Sequence, residues 1–533
     1  MTPDLKKFCL SVMLALAAII FSQSPAGAQT MESRPAQTPA RPGGAAVREN
    51  GSNTQAASKG ESREADQIDE LKAKIEQLQM LVERQQRALA EMEGRLQKVE
   101  EKDKAAATVS ASSKRDAVTD AALRSESEAT VAEPLPENGS PTSGGAAKAQ
   151  EKPGLIAGWD KDGHAFIRSA DGNFETNIAG YGHFDFRGYQ SGDHPPNTFL
   201  IRRARLGVEG KLYRYFDYKI QAEFADSNGT SLRDLFVNFH RTDKFQLRFG
   251  QFKEPFSQEQ LLPATSLDFV ERSLANALAP DRSPGIMASG VFNKGVFEYQ
   301  VGAFNGKGLG NLNDNGTPET VARLRFAPWK KGQSFWAKGL AFGGAYAQGR
   351  GQVGESVRGQ TESRSFTFFN PVPIKGKTTR ANGEMAWLLG PASLRAEYIQ
   401  TNEERDNLGP GGTNLPGVVA KGYMAQFTYM LTGETKLDGK PINPKRNLFD
   451  RENGKTGFGA WELKVRYSNL QIADATPNSN RAGSVYFGAN WYLNSFVKYQ
   501  LDFGFEQFED LLRTPNPGDR NFFVVLSRVQ LAF

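Results

Sequence analysis

Nine cationic side chains, Arg203, Arg205, Lys219, Arg248, Arg323, Arg325, Lys464, Arg466 and Arg528, sit at alternate positions in stretches whose other positions are mostly apolar or small. Lys219 stands between Tyr218 and Ile220, and Arg323 between Ala322 and Leu324. Guanidinium and ammonium groups repeated along a wetted wall can replace part of an anion's hydration shell, which is how a pore admits phosphate. Carboxylates share that parity at Glu209, Asp217, Glu223 and Glu462, so ion pairs that stiffen a wall are a second reading. The residue types alone leave both open.

Three further cations, Lys253, Arg272 and Arg282, belong to a long connection from 251 to 285 that has no usable alternation and holds Pro255, Pro263, Pro280 and Pro284. Connections of this length are functional or disordered. Phe252, Phe256, Leu261, Leu262, Leu267, Phe269 and Val270 argue for packing, with the segment folded into a pore and its cations lining a constriction.

Other chemistries lack their residues. The sequence offers no serine–histidine constellation, paired catalytic carboxylates or phosphate loop, and "GKGLG" at 306–310 lacks a following helix. His164, His183, His194 and His240 are too scattered to make a metal site by spacing, while "DSNGT" at 226–230 and "NLNDNGTPE" at 311–319 read as turns, not calcium loops. Cys9 is the only cysteine, and it falls in an export signal. The expectation is a protein that is not an enzyme and uses no cofactor, metal or nucleic acid.

Strands must position these cations. In the final stretch Phe523, Val525, Val529, Leu531 and the terminal Phe533 share one parity, giving a strand with a continuous apolar face and an aromatic end. Phe174, Ile178, Phe184 and Phe186 alternate with Asn173, Glu175, Asn177, His183, Asp185 and Arg187, and Val497 to Phe505 repeats the split. One face suits lipid and the other water, the signature of a transmembrane β-barrel, so a mean hydropathy of −0.51 carries no information here. Short connections at 293–295 and 390–392 alternate with long ones at 305–318 and 350–377. The fold class is all-β, an antiparallel barrel of about 16 strands beginning near 173, 198, 216, 232, 244, 286, 296, 319, 337, 378, 393, 419, 457, 483, 496 and 520. The 433–456 connection is long where a turn is expected, which leaves 18 strands as an alternative.

Upstream, Lys6, Lys7, an apolar run from 8 to 21 and Ala26-Gly27-Ala28 make residues 1–28 a signal peptide. A disordered leader spans 29–66. At 67–102 the apolar positions Ile68, Leu71, Ile75, Leu78, Val82, Leu89, Met92, Leu96 and Val99 step by three and four, with polar Gln85 in the seam, as in a coiled coil. A flexible linker at 103–153 leads to the barrel at 154–533. The net charge of +5 reflects a basic excess in the barrel.

The strings "FLIRRARLGVEGKL", "LRFGQFKEPFSQEQL", "LDFVERS", "LTGE", "GAWELKVRYS" and "NWYLN", in order between 199 and 494, resemble the phosphate-selective porin O and P family. The resemblance implies a 16-stranded trimeric anion channel with inward-folded loops and a staircase of arginines and lysines. It carries over Arg203, Arg205, Lys253 and Arg272 as wall and pore-loop positions, and its layout includes the long 433–456 connection. The sequence departs from a purely cationic constriction at Glu254, Asp268 and Glu271. The expected function is passage of phosphate, polyphosphate or other small anions across an outer membrane, in contact with its lipid and as a homotrimer. The alternative is a general porin whose coiled coil, in the periplasm, tethers it to a cell-wall or periplasmic partner.

Overall fold

The computed structural model describes residues 154–159, 165–190, 196–226, 229–306, 308–313, 316–449, 457–473 and 480–533. The expected signal peptide, leader, coiled coil and linker lie outside the described residues. Described strands begin with a hairpin, β1 (Leu155–Trp159) and β2 (Ala165–Ser169). The barrel wall follows with β3 (Phe174–Tyr189), β4 (Thr198–Leu212), β5 (Phe216–Glu223), β6 (Ser231–Thr242), β7 (Phe245–Lys253), β8 (Arg282–Phe292), β9 (Phe297–Phe304), β10 (Glu319–Phe326) and β11 (Leu340–Glu355). After two short strands, β12 (Gly359–Gln360) and β13 (Thr367–Phe369), it continues with β14 (Pro373–Leu389), β15 (Ala392–Arg405) and β16 (Leu415–Met430). It ends with β17 (Ala460–Ala473), β18 (Asn480–Tyr492), β19 (Val497–Phe508) and β20 (Asn521–Ala532).

β3–β11 and β14–β20 form a closed barrel of 16 antiparallel strands, because β20 pairs with β3 from Val524↔Tyr189 to Ala532↔Tyr181. Phe533 completes the seam: its N–H donates to the Gly180 carbonyl at 2.9 Å and its carbonyl accepts from Gly180 at 2.8 Å. The 431–459 segment holds no strand among its described residues, which settles the count at 16. β3 starts before β20 reaches it, and β2 covers that overhang, pairing Ala165↔Ile178 through Arg168↔Glu175. Sequence alternation had not revealed this hairpin; without it the overhang would present unpaired backbone groups.

Burial is inverted, as a lipid-facing barrel requires. Phe184, Leu206, Ile220, Phe249, Leu324, Phe487 and Val529 are exposed outside, whereas Asp185, Arg205, Glu223, Arg323, Glu384, Arg466 and Arg528 are buried inside. No helix among the described residues is long and apolar enough to cross a membrane; strands make the crossing. Gly250 in β7 has φ +124°, and a Cβ there would run into the Leu235 carbonyl oxygen. Gly250→Val therefore meets a backbone penalty of about 1–3 kcal/mol before the clash is counted. It is expected to cut the yield of folded, heat-modifiable barrel sharply; a yield equal to wild type would refute this account of β6–β7 pairing.

Two connections on one rim fold into the barrel. The first, residues 254–281, contains a short helix (Gln258–Leu261) whose Ser257 cap accepts from Gln260 N–H at 3.1 Å, and a 3-10 turn (Leu274–Leu278). Phe252, Phe256, Phe269, Val270, Leu274 and Leu278 join a buried apolar cluster with Ile399, Leu470, Phe508, Val524 and Leu526. Burying each large side chain contributes about 1.5–3 kcal/mol. Gly422 of β16 permits this approach, since a Cβ there would lie 2.8 Å from the Ala275 Cα. The second connection, 356–372, pairs β12 with β13 and packs Phe368 edge-on to Phe508 at 6.1 Å. From the opposite rim, where Phe533 ends and which we call the terminal rim, part of 431–459 also reaches inward.

Candidate functional site

Two bulges change which arginines reach the lumen. Register between β3 and β4 slips at His183/Phe184, so that Arg203 faces His183 while Ile201 faces Phe184 and Arg202 is the extra residue. Between β5 and β6 it slips at Gln221/Ala222, with Arg233 the extra residue. A bulge breaks the period-two rule, and strict alternation would have turned Arg202 outward. Instead Arg202 Nε donates to Glu271 at 2.6 Å.

Glu271, from the inward 254–281 segment, is the centre of a guanidinium cluster. Arg187 approaches at 2.6 Å, Arg202 at 2.6 Å, Arg364 at 3.3 Å, and Arg203 and Arg528 at 3.7 Å each. Asp185 is the second carboxylate, bound by Arg528 at 2.6 Å and Arg187 at 3.1 Å. Five arginines thus share two carboxylates. Burial alone would raise the Glu271 carboxyl, but Arg202, Arg364, Arg187 and Arg203 hold it well below the usual carboxylate range. Glu254 behaves oppositely: burial, reinforced by Glu319, pushes its carboxyl up to about 8.

The residues proposed from sequence separate into three groups. Arg205, Lys219, Arg282, Arg323 and Arg325 are paired, respectively with Glu223 (2.7 Å), Glu209 (2.5 Å), Asp234 (2.8 Å), Glu384, and Glu298 together with Asp438 (3.0 Å each). For these the wall-stiffening reading applies. Lys253, Arg272 and Arg248 have no carboxylate within ion-pair distance among the described residues. Lys253 donates to the Leu262 carbonyl at 2.8 Å, Arg272 donates to the Glu259 and Leu262 carbonyls at 3.2 Å each, and Arg248 lies 4.4 Å over the Phe236 ring. Arg203 stands between, sharing Glu271 at 3.7 Å and reaching His183 Nδ1 at 3.3 Å.

Other lumen cations clamp the inward segments. Lys498 donates to the Thr265 and Leu267 carbonyls at 2.9 and 3.0 Å, Lys464 to the Asp268 carbonyl at 2.8 Å, and Arg466 to that of Glu271 at 2.8 Å. Arg466 also pairs with Glu362 of the 356–372 segment. These contacts occupy the β17–β20 side. Opposite, against β7–β10, lies a cavity of about 400 Å³ lined by Arg248, Arg323 and Arg325, with Gln258 and Leu262 of the inward segment. Arg395 and Asp438 flank it, the latter from the terminal-rim connection. Burial opposes ionisation of Asp438, but Arg395 and Arg325 outweigh it and hold the carboxyl below its usual range.

Arg187, Arg202, Arg233, Arg364 and Arg395 were not among the candidates. Arg395 was within reach of the parity argument, since Ser393, Arg395 and Glu397 alternate with Leu394, Ala396 and Tyr398; Arg187 likewise. Arg202 and Arg233 are hidden by bulges, and Arg364 lies in a connection with no period. Among the described residues no group of three or more His, Cys, Asp or Glu side chains is placed to hold a metal.

Porin O of Pseudomonas aeruginosa is 24% identical over 411 residues, covering 69% of this chain and 90% of that one. OmpT of Vibrio cholerae aligns in structure with a TM-score of 0.45 at 13% identity, covering 68% of this chain and 98% of that one. An anion-selective porin from Comamonas acidovorans aligns at 0.43 and 12%, covering 67% and 99%. The family model for phosphate-selective porin O and P matches residues 176–533, the whole of the closed barrel but for the first two residues of β3. With this barrel, its inward segments and that match, the chain belongs to the phosphate-selective porin O and P family.

Proposed function

We propose that this outer-membrane porin is a passive, anion-preferring channel whose expected solute is phosphate or polyphosphate, and that it performs no catalysis. The observation that carries the reading is the surplus of guanidinium over carboxylate at the inward segment, five arginines on Glu271 and Asp185. Buried N–H groups without acceptors at Nε of Arg187, Arg233, Arg248 and Arg395 support it, because an entering oxyanion supplies what they lack. The path runs along β3–β10, where inward-facing Lys219, Glu209 and His240 are only part-buried, and passes beside Arg203, Lys253 and Arg272.

Reversal potential in a planar bilayer under a chloride gradient, repeated with added phosphate, tests this. Anion preference with phosphate block of the chloride current is the expected result. Cation preference would sink the reading, and anion preference without block would reduce it to a general anion pore.

A further inference from the structure

We propose that Asp438 is a tethered counter-ion seated on an anion station at the terminal-rim side of the inward segment, and that a permeating oxyanion takes the station by displacing it. The proposal rests on the anion-channel reading above. Asp438 Oδ2 lies 3.0 Å from Arg325 Nη2, and Oδ1 lies 2.9 Å from Arg395 Nη2. One carboxylate therefore bridges guanidiniums from β10 and β15 as two oxygens of a phosphate would.

The two sides of this contact are unequally committed. The Arg395 side chain is 6% exposed and Asp438 39%. Among the described residues Asp438 is the carboxylate within ion-pair distance of Arg395, and the buried Arg395 Nε has no acceptor. Arg248 lines the same cavity with its own Nε unaccepted. Arg323 and Arg325 keep Glu384 and Glu298 when Asp438 leaves, so the charge uncovered is chiefly that of Arg395. The neighbouring backbone is fastened: Lys436 Nζ binds Asp268 at 2.6 Å, and Ser266 Oγ donates to the Gly439 carbonyl at 3.2 Å. A side-chain rotation into the adjoining cavity of about 400 Å³ is then sufficient, with no loop opening, and such flips are fast.

The test compares phosphate block of chloride current in wild type and Asp438→Asn, with inorganic phosphate added on the terminal-rim side. Removing an ion contact of this exposure, worth up to ~1 kcal/mol, is expected to lower the half-blocking concentration about fivefold. Asp438→Glu should restore the wild-type value, and in an Arg395→Gln background Asp438→Asn should have no further effect. Equal half-blocking concentrations in wild type and Asp438→Asn, or no block in either, would overturn the proposal. A cation-preferring wild type would instead remove the anion-channel reading beneath it, so the two failures are distinct.

Discussion

Glu271→Gln is expected to lower the temperature at which the folded barrel converts to its unfolded form on a denaturing gel, and to enlarge its single-channel conductance. The amide keeps the shape of the side chain but removes the charge around which Arg187, Arg202, Arg203, Arg364 and Arg528 gather. Removing one partner from a buried ionic cluster costs about 3–5 kcal/mol, since the remaining charges lose their compensation. The strain falls on 254–281, which is held at this carboxylate, so the segment loosens and the open cross-section grows. A variant with wild-type heat-modifiability and conductance would show that carbonyl clamps from Lys464, Arg466 and Lys498 hold the segment alone.

The second large effect concerns selectivity. Arg203→Gln combined with Arg272→Gln is expected to reduce the anion-to-cation permeability ratio by about tenfold, equivalent to ~1.4 kcal/mol of differential ion stabilisation. Arg272 has carbonyl partners only, and Arg203 shares one distant carboxylate with four other arginines, so their field is not cancelled locally. The paired replacement Arg205→Gln with Glu223→Gln removes a 2.7 Å ion pair whole and should leave the ratio close to wild type. Reversal potentials of both variants decide the matter: equal shifts would mean that selectivity follows position in the wall, not uncompensated charge.

Barrel and site were legible to different depths for one physical reason. Lipid on one side and water on the other force a period of two, and that period placed the starts of β4, β5 and β10 at residues 198, 216 and 319, whereas β8, β14 and β16 begin at 282, 373 and 415, four or five residues before the expected 286, 378 and 419. Parity likewise turned Arg205, Lys219 and Arg323 inward. It could not say which cations face water, because Lys464, Arg466 and Arg528 lie under segments whose course has no period. Their cover was announced only by apolar residues on the inner face, such as Phe522, Val524 and Leu526, which break the polar half of the pattern. The bulges at Arg202 and Arg233 lay beyond any parity argument, and both put an additional arginine into the lumen.

Several donors that hold the backbone carbonyls of 254–281 come from the last strands of the chain: Lys464 and Arg466 of β17, Lys498 and Gln500 of β19, and Arg528 of β20. These donors lie some two hundred residues further along the chain than the carbonyls they hold. β20, which closes the seam onto β3 and carries the Arg528 clamp, therefore joins the closure of the wall to the placement of the segment that narrows it. A change in the last strands that leaves the wall intact can thus reach the lumen through the segment they hold.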